Sequence, residues 1–255
     1  MIELFLIGIG TGNPDHVTAE AAQAIRGADL ILIPLKGEDK ADLAGLRRAI
    51  CDRVLGEARP ALLEFDLPRR DAANPVYLDG VEDWHDAIAA AWEAPIRAHL
   101  AAGGGPRVAL LVWGDPSLYD STLRIAARLR GRMAVALRVI PGITAIQTLC
   151  AAHAIPLNDL GAPVQITTGR RLRDHGWPAD ADTVVVMLDA GGAFQAIPQD
   201  GVEIWWGAYV GMAEQILIAG PLAEVAPRIL ETRAAARATH GWIMDIYLMR
   251  RASGG

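Results

Sequence analysis

The sequence predicts an α/β fold in two domains, with a parallel sheet in residues 1–141 and a mixed sheet in residues 142–255. Three observations carry this. In the first half, apolar runs of strand length alternate with helical stretches, as in βαβ units whose strands are covered on both faces. In the second half, strand-like runs outnumber helical ones, which suits a mixed sheet. Of the 255 residues, 52 % are hydrophobic and only 5 % aromatic, so a large core can be built in close-packed layers.

Residues 2–9 (IELFLIGI) form an unbroken apolar run that ends in glycines. Val17-Thr18-Ala19-Glu20 opens a helix to Arg26, and residues 28–34 are a second buried strand, giving a βαβ unit with a right-handed crossover. A helix follows over 41–56, a short strand over 60–65 and a polar loop over 66–74. An alanine-rich helix over 79–102, with a break expected at Pro95, stops at Gly103-Gly104-Gly105-Pro106. Residues 107–113 form another buried strand closed by Gly114-Asp115-Pro116, followed by a helix over 117–129 and a strand over 135–140. Pro141-Gly142 punctuates the chain before a helix over 143–153, with the linker within 141–156. Further strands are predicted at 163–168, 183–188, 202–207, 215–219 and 242–249, with the clearest late helix at 222–233 and a frayed tail at 252–255.

The net charge of −6 and the lack of any long Lys/Arg run exclude a nucleic-acid binder that works by neutralising phosphates. Lysine occurs only at Lys36 and Lys40, so almost all positive charge is arginine. That bias suits bidentate recognition of carboxylates, and GC-rich codon usage explains it equally well. Cys51 and Cys150 lie in apolar helical stretches and predict no disulfide framework. The six histidines show no i, i+4 pair and no neighbouring cysteine, so no metal site is expected. With no basic leader and no apolar run of about 20 residues, the expectation is a soluble, cytoplasmic protein with no membrane partner.

Three loops follow the carboxyl ends of buried strands in the first half, the edge where ligands collect in open α/β sheets. Gly8-x-Gly10-x-Gly12 resembles a dinucleotide fingerprint, but position 13 is Asn, and the second strand ends Ile33-Pro34-Leu35-Lys36 without the acid that binds a ribose. It therefore reads as a tight turn or as a close-approach loop for some other ligand. In Gly114-Asp115-Pro116-Ser117, the aspartate reads either as a helix cap or as a carboxylate aimed at hydroxyl or amino groups of a ligand. Pro141-Gly142-Ile143-Thr144-Ala145 reads as a turn and cap or as a third wall of the same site.

Taken together, in this order and spacing, the loops resemble the tetrapyrrole methylase family. Its members carry a V-G-x-G-P-G-like loop followed by L-T, then a G-D-P loop, then P-G-[IV]-[ST]-[AS] leading to a G-I-P-L-like segment. The matching segments are Ile7 to Gly12 with Val17-Thr18, Gly114 to Pro116, and Pro141 to Ala145 with Ala154-Ile155-Pro156-Leu157. The run TVVVML at 183–188 looks like the family's strand beside the cofactor adenine. The resemblance implies two α/β domains with S-adenosylmethionine held in the cleft between them, S-adenosylhomocysteine as a product, and a homodimer. Carried over residue by residue, the cofactor contacts fall at Thr11, Gly114, Asp115, Leu118, Thr144, Ala145, Leu188 and Ala208. Thr11 stands where the family has Pro, Trp113 replaces a small or polar residue, and Ala208-Tyr209 lacks the frequent N-G-T.

The inserted stretch with Leu67-Pro68-Arg69-Arg70, Tyr77 and Trp84-His85, and the ending His240 to Tyr247, resemble a deacetylating corrin methylase of that family. This implies methylation of ring carbon 1 of precorrin-5 with release of acetate. A carboxylate-rich substrate calls for local arginines, and Arg69, Arg70, Arg170 and Arg171 lie in the two densest runs, the latter continuing to Arg173. Deacetylation calls for a proton acceptor and an oxyanion donor, with His85, Tyr119, Tyr209 and Glu214 as candidates. The rival readings are a methylase for another ring carbon, a nicotinamide dehydrogenase, and a tetrapyrrole carrier.

Overall fold

The computed structural model describes residues 1–35, 41–68 and 77–251, with only the backbone course given for 41–42 and 77–80. The chain divides into two compact units, Met1–Thr144 and Ala145–Gly255.

The first unit is a sheet between two helical layers. Its strands are β1 (Ile2–Gly8), β2 (Leu30–Leu35), β3 (Ala61–Asp66), β4 (Arg107–Val112) and β5 (Val135–Ile140). They lie in the order β3-β2-β4-β1-β5, with every pairing parallel. The helices are α1 (Ala19–Arg26), α2 (Ala41–Leu55), α3 (Tyr77–Ala101) and α4 (Thr122–Arg130). The path from β1 to β2 to β3 moves one way across the sheet, and the paths from β3 to β4 and from β4 to β5 move back. Right-handed crossovers then require α1 and α2 on one face and α3 and α4 on the other. The period-two pattern of β1 agrees. Phe5 and Ile7 pack with Ile25 and Ile50, whereas Leu4 and Leu6 pack with Trp92 and Leu129.

The second unit holds α5 (Ala145–His153), β6 (Val164–Thr168), α6 (Gly169–His175), β7 (Thr183–Met187), β8 (Val202–Ala208), β9 (Ile216–Pro221), α7 (Leu222–His240) and β10 (Asp245–Arg251). Its sheet order is β6-β7-β10-β8-β9, with β6 parallel to β7 and the other pairings antiparallel. The last strand thus enters the middle of the sheet. Val184, Trp206, Tyr247 and Met249 pack with residues of α6 and α7. Against Gly207, a Cβ would come within 2.8 Å of Leu149 of α5, so a bare backbone lets that helix seat closely.

An α/β chain with a parallel and a mixed sheet is what the sequence predicts. Some element bounds differ. α4 begins at Thr122 rather than near 117 because the Asp115 and Asp120 side chains each accept from the N–H two residues on, holding the intervening chain in turns. α3 runs through Pro95 without ending, its flanks anchored by buried Trp92 and Ile96. α7 extends to His240, where Gly241 at φ +71° ends it. The short helix α6 was not anticipated. Thr168 caps it, accepting from the Arg171 N–H at 3.4 Å.

Candidate active site

The three loops singled out in the sequence leave adjacent strands, since β4, β1 and β5 are neighbours. The chain leaves β1 toward one helical layer and β4 toward the other, so the sheet reverses its winding between these two strands. That is a topological switch point, where a crevice opens at the carboxyl edge. Here the loops meet backbone to backbone. The Gly114 N–H donates to the Gly10 carbonyl at 2.8 Å, and the Gly10 N–H returns a longer bond of 3.4 Å. A Cβ on Gly8 would lie 2.5 Å from the Gly142 nitrogen, and one on Gly142 would lie 2.1 Å from the Gly114 oxygen. These contacts demand glycine by steric exclusion, and Gly114 adds a left-handed φ of +65°.

Asp115 fastens this cluster. One carboxylate oxygen accepts from the Ser117 N–H (2.8 Å) and hydroxyl (2.5 Å), and the other accepts from the Gly142 N–H at 2.9 Å. Burial pushes its pKa up, but the Ser117 hydroxyl and the Gly142 and Ser117 N–H groups outweigh that and hold it below the ordinary value. A carboxylate has about four acceptor positions, so these three bonds leave one for a ligand. Thr11 is buried at the loop's inner edge, and Leu118 and Thr144 are half-buried. Tyr119 holds a left-handed φ of +47° and is 44 % exposed.

In the second unit, two of the three left-handed non-glycine residues among those described, Leu188 and Tyr209, are sequence-predicted site residues. Leu188, just past β7, has φ +53° and is 66 % exposed. A left-handed leucine with its side chain in solvent is unfavourable twice over, and such outliers cluster at ligand sites. Tyr209, beside the buried Ala208, has φ +51°. Ala145 opens α5. Arg170 and Arg171 lie on the exposed side of α6.

A family model for the Tetrapyrrole (Corrin/Porphyrin) Methylases matches residues 3–226. The chain belongs to the tetrapyrrole methylase family. It is 50 % identical over 255 residues, 99 % of this chain and 97 % of the relative, to a precorrin-6A synthase (deacetylating) from a Sinorhizobium species. A precorrin-2 C(20)-methyltransferase from the same genus is 33 % identical over 197 residues, 71 % of this chain and 72 % of that one. A crystal structure of a cobalamin synthesis related protein (CobF) from Corynebacterium diphtheriae superposes with a TM-score of 0.82 at 36 % identity, covering 99 % and 100 % of the two chains. A uroporphyrin-III C-methyltransferase from Thermus thermophilus, complexed with S-adenosylhomocysteine, shares the fold at a TM-score of 0.59 and 17 % identity, over 97 % of both chains.

Two of the four acid–base candidates in this tetrapyrrole methylase are buried. His85 is 2 % exposed inside the α3–α4 layer, not on a helix surface, and neither ring nitrogen has a hydrogen-bond partner among the described residues. Burial, then the nearby Arg128, pushes its pKa down. A base closed off in this way cannot reach a substrate without opening the layer. Tyr209 is 2 % exposed and its hydroxyl donates to the Trp242 carbonyl at 2.6 Å, while its N–H donates to the Met244 carbonyl at 2.9 Å. Both bonds tie down the turn after β8. Tyr119 and Glu214 are exposed and keep their candidacy. Arg69 and Arg70 lie outside the described residues.

Sequence reasoning missed several polar residues of this methylase. Arg47 of α2 is buried where β2 and β4 part, donating to the Leu111 carbonyl at 3.0 Å. Burial lowers its pKa to about 10. His16 packs its Cβ against Gly10 and keeps a buried Nδ1 without a partner among the described residues. Asp189, Arg233, Asp245 and Tyr247 form a buried network beside Leu188. No local motif marks Arg47 or the Asp189 network, because each depends on a neighbour far off in sequence.

Proposed function

We propose that this methylase transfers a methyl group from S-adenosylmethionine to ring carbon 1 of precorrin-5 and releases the ring's acetyl group as acetate, giving precorrin-6A. The observation that carries this reading is the 50 % identity over 99 % of the chain to a deacetylating precorrin-6A synthase. At 99 % of the chain, that match takes in the inserted stretch and the ending.

The residues fit the cofactor. Gly8 and Gly142 form a backbone-walled cradle with no room for a Cβ, and Gly114 between them holds a left-handed φ of +65°. Asp115 keeps one acceptor position, and Leu188 presents an exposed apolar surface. The proposed contacts are Thr11, Gly114, Asp115, Leu118 and Thr144 in the first unit, and Ala145, Leu188 and Ala208 in the second. S-adenosylmethionine supplies an electrophilic methyl on a sulfonium. The protein's own task is then positioning and water exclusion, for which well-oriented reactants lower a barrier by roughly 7–11 kcal/mol.

Deacetylation adds water to the acetyl carbonyl. The new C–O bond forms as the carbon–carbon bond to the ring breaks, the electron pair stays on the ring, and a base takes the water's proton. Tyr119 and Glu214 are the exposed candidates for that proton and for polarising the carbonyl. Arg170 and Arg171 would meet substrate carboxylates, each desolvated pair contributing about 1.5–3 kcal/mol. A homodimer in the cytoplasm belongs to the same proposal.

A two-label assay tests it. Enzymatically made precorrin-5 is supplied with methyl-labelled S-adenosylmethionine, and methyl gained and acetate released are counted per turnover. One of each is the expected outcome. Methyl transfer to another precorrin without acetate would move the reaction to a different ring carbon.

A further inference from the structure

Leu188 poses a physical question. A left-handed leucine costs on the order of 1–2 kcal/mol, and leaving its side chain 66 % exposed forgoes burial. Something must over-determine the turn. The next residue does so: Asp189 is 7 % exposed and its carboxylate accepts four hydrogen bonds. Its oxygens take the N–H groups of Gly191 (3.0 Å), Gly192 (3.1 Å) and Ala193 (2.6 Å), and the Tyr247 hydroxyl at 2.7 Å. Its carbonyl takes Arg233 Nη2 at 2.6 Å. Arg233 is in turn held by Asp245, through Nε at 2.6 Å and Nη2 at 3.3 Å, and Asp245 also accepts from Trp206 Nε1 at 2.9 Å. The same carboxylate sets α6, because a Cβ on Gly169 would lie 2.4 Å from the Asp189 Cγ.

We propose that Asp189, Tyr247, Arg233 and Asp245 are positioning residues that lock the turn after β7 so that Leu188 is presented to the cofactor, and that the same lock registers the α6 helix carrying Arg170 and Arg171. The proposal rests on the reading of Leu188 as a cofactor contact. Arg233 of α7 and Tyr247 of β10 reach the turn after β7, so it is fixed from two distant elements as well as by the bonds of Asp189 to its own N–H groups. Tyr247 stays a protonated donor, its pKa raised by burial and then by Asp189. Two acids and one arginine leave a surplus negative charge, which the three backbone N–H groups face. A buried polar network of this kind selects one geometry where apolar packing would tolerate several.

Tyr247→Phe removes one bond to Asp189 and keeps the ring's edge contact with Phe194 (centroids 5.3 Å apart). The full-length variant is titrated with S-adenosylhomocysteine by calorimetry and assayed for methyl transfer. The expected result is a Kd weaker by roughly fivefold to tenfold, the cost of about one hydrogen bond. KM for S-adenosylmethionine rises in step while kcat is nearly kept. A purely structural role would lower the unfolding temperature and the active fraction, with Kd and KM unchanged, and would overturn the proposal. Leu188→Asp separates the two claims. If it abolishes S-adenosylhomocysteine binding while Tyr247→Phe leaves Kd unchanged, Leu188 stands as a contact and the lock fails. If Leu188→Asp binds like the wild type, the reading of Leu188 as a contact fails and the proposal with it.

Discussion

The two units hold their candidate loops by opposite means. In the first, Gly8, Gly114 and Gly142 bring three backbones into contact, and the half-buried Asp115 ties them with short-range bonds and one bond across to Gly142. In the second, a strained turn at Leu188 is held by buried polar side chains of β10 and α7. The first device works by having no side chains, so its failure is steric. The second works by buried charges compensated by one arginine and by backbone N–H groups, so its failure is electrostatic. Glycine cradles tolerate the loss of a polar group better than the gain of a methyl, and the buried network has the reverse sensitivity.

The largest expected effect follows from breaking the network. Arg233→Met leaves the Asp245 carboxylate, 5 % exposed, with its cation gone. Unfolding in urea should show a loss of about 3–5 kcal/mol. A loss under 1 kcal/mol would mean that the pair is not desolvated as the structure has it. On the other side of the comparison, Gly142→Ala drives a Cβ to 2.1 Å from the Gly114 oxygen. Overpacking costs typically about 1–3 kcal/mol, and backbone against backbone belongs at the upper end. Binding of S-adenosylhomocysteine should fail even where the variant still folds, and wild-type affinity would show that the loops part without consequence.

His85 carries a smaller, pH-dependent cost. Its folded-state pKa is pushed down, by burial first and by Arg128 next, with Arg124 acting the same way and Glu82 and Asp86 opposing. The unfolded chain therefore binds a proton that the folded one refuses. The neutral ring's contribution is fully present above the unfolded pKa of about 6.5. It falls away as the pH drops below that value, by up to about 1.4 kcal/mol per pH unit. Measured between pH 7 and pH 5, the stability of His85→Met should decline less steeply than that of the wild type. Parallel slopes would remove His85 as a source of acid sensitivity.

The smallest effect is a gain. Ala154 ends α5 at φ +53°, with the Ile155 N–H reaching back to the Cys150 carbonyl at 3.0 Å. That is a helix C-cap built on alanine where glycine is easier. Ala154→Gly should raise stability by up to about 1 kcal/mol, relief of left-handed strain outweighing the added freedom of the unfolded chain. A thermal midpoint below that of the wild type would show the entropy term to be the larger.

Legibility in the sequence followed the range of the interaction. The βαβ order, the parallel sheet and the three loops at its carboxyl edge could be read because apolar runs, glycines and prolines act on their own few residues. The glycine cradle was visible for the same reason: a close backbone approach leaves a mark at every position that takes part. Reading failed where a residue's meaning lies across the fold. His85 and Tyr209 are bases by type, and only the fold shows that both are buried. Asp189, Arg233, Asp245 and Tyr247 are unremarkable in their local windows and become a unit only when β10 enters the sheet between β7 and β8.

The sequence by itself determined the α/β class, the family and the backbone loops that a ligand would meet, because these depend on periodicity and on which positions must lack a side chain. Only the tertiary structure decided which polar side chains are exposed and which are buried and paired. Desolvation and charge balance depend on neighbours brought together from every part of the chain, and no local pattern records them.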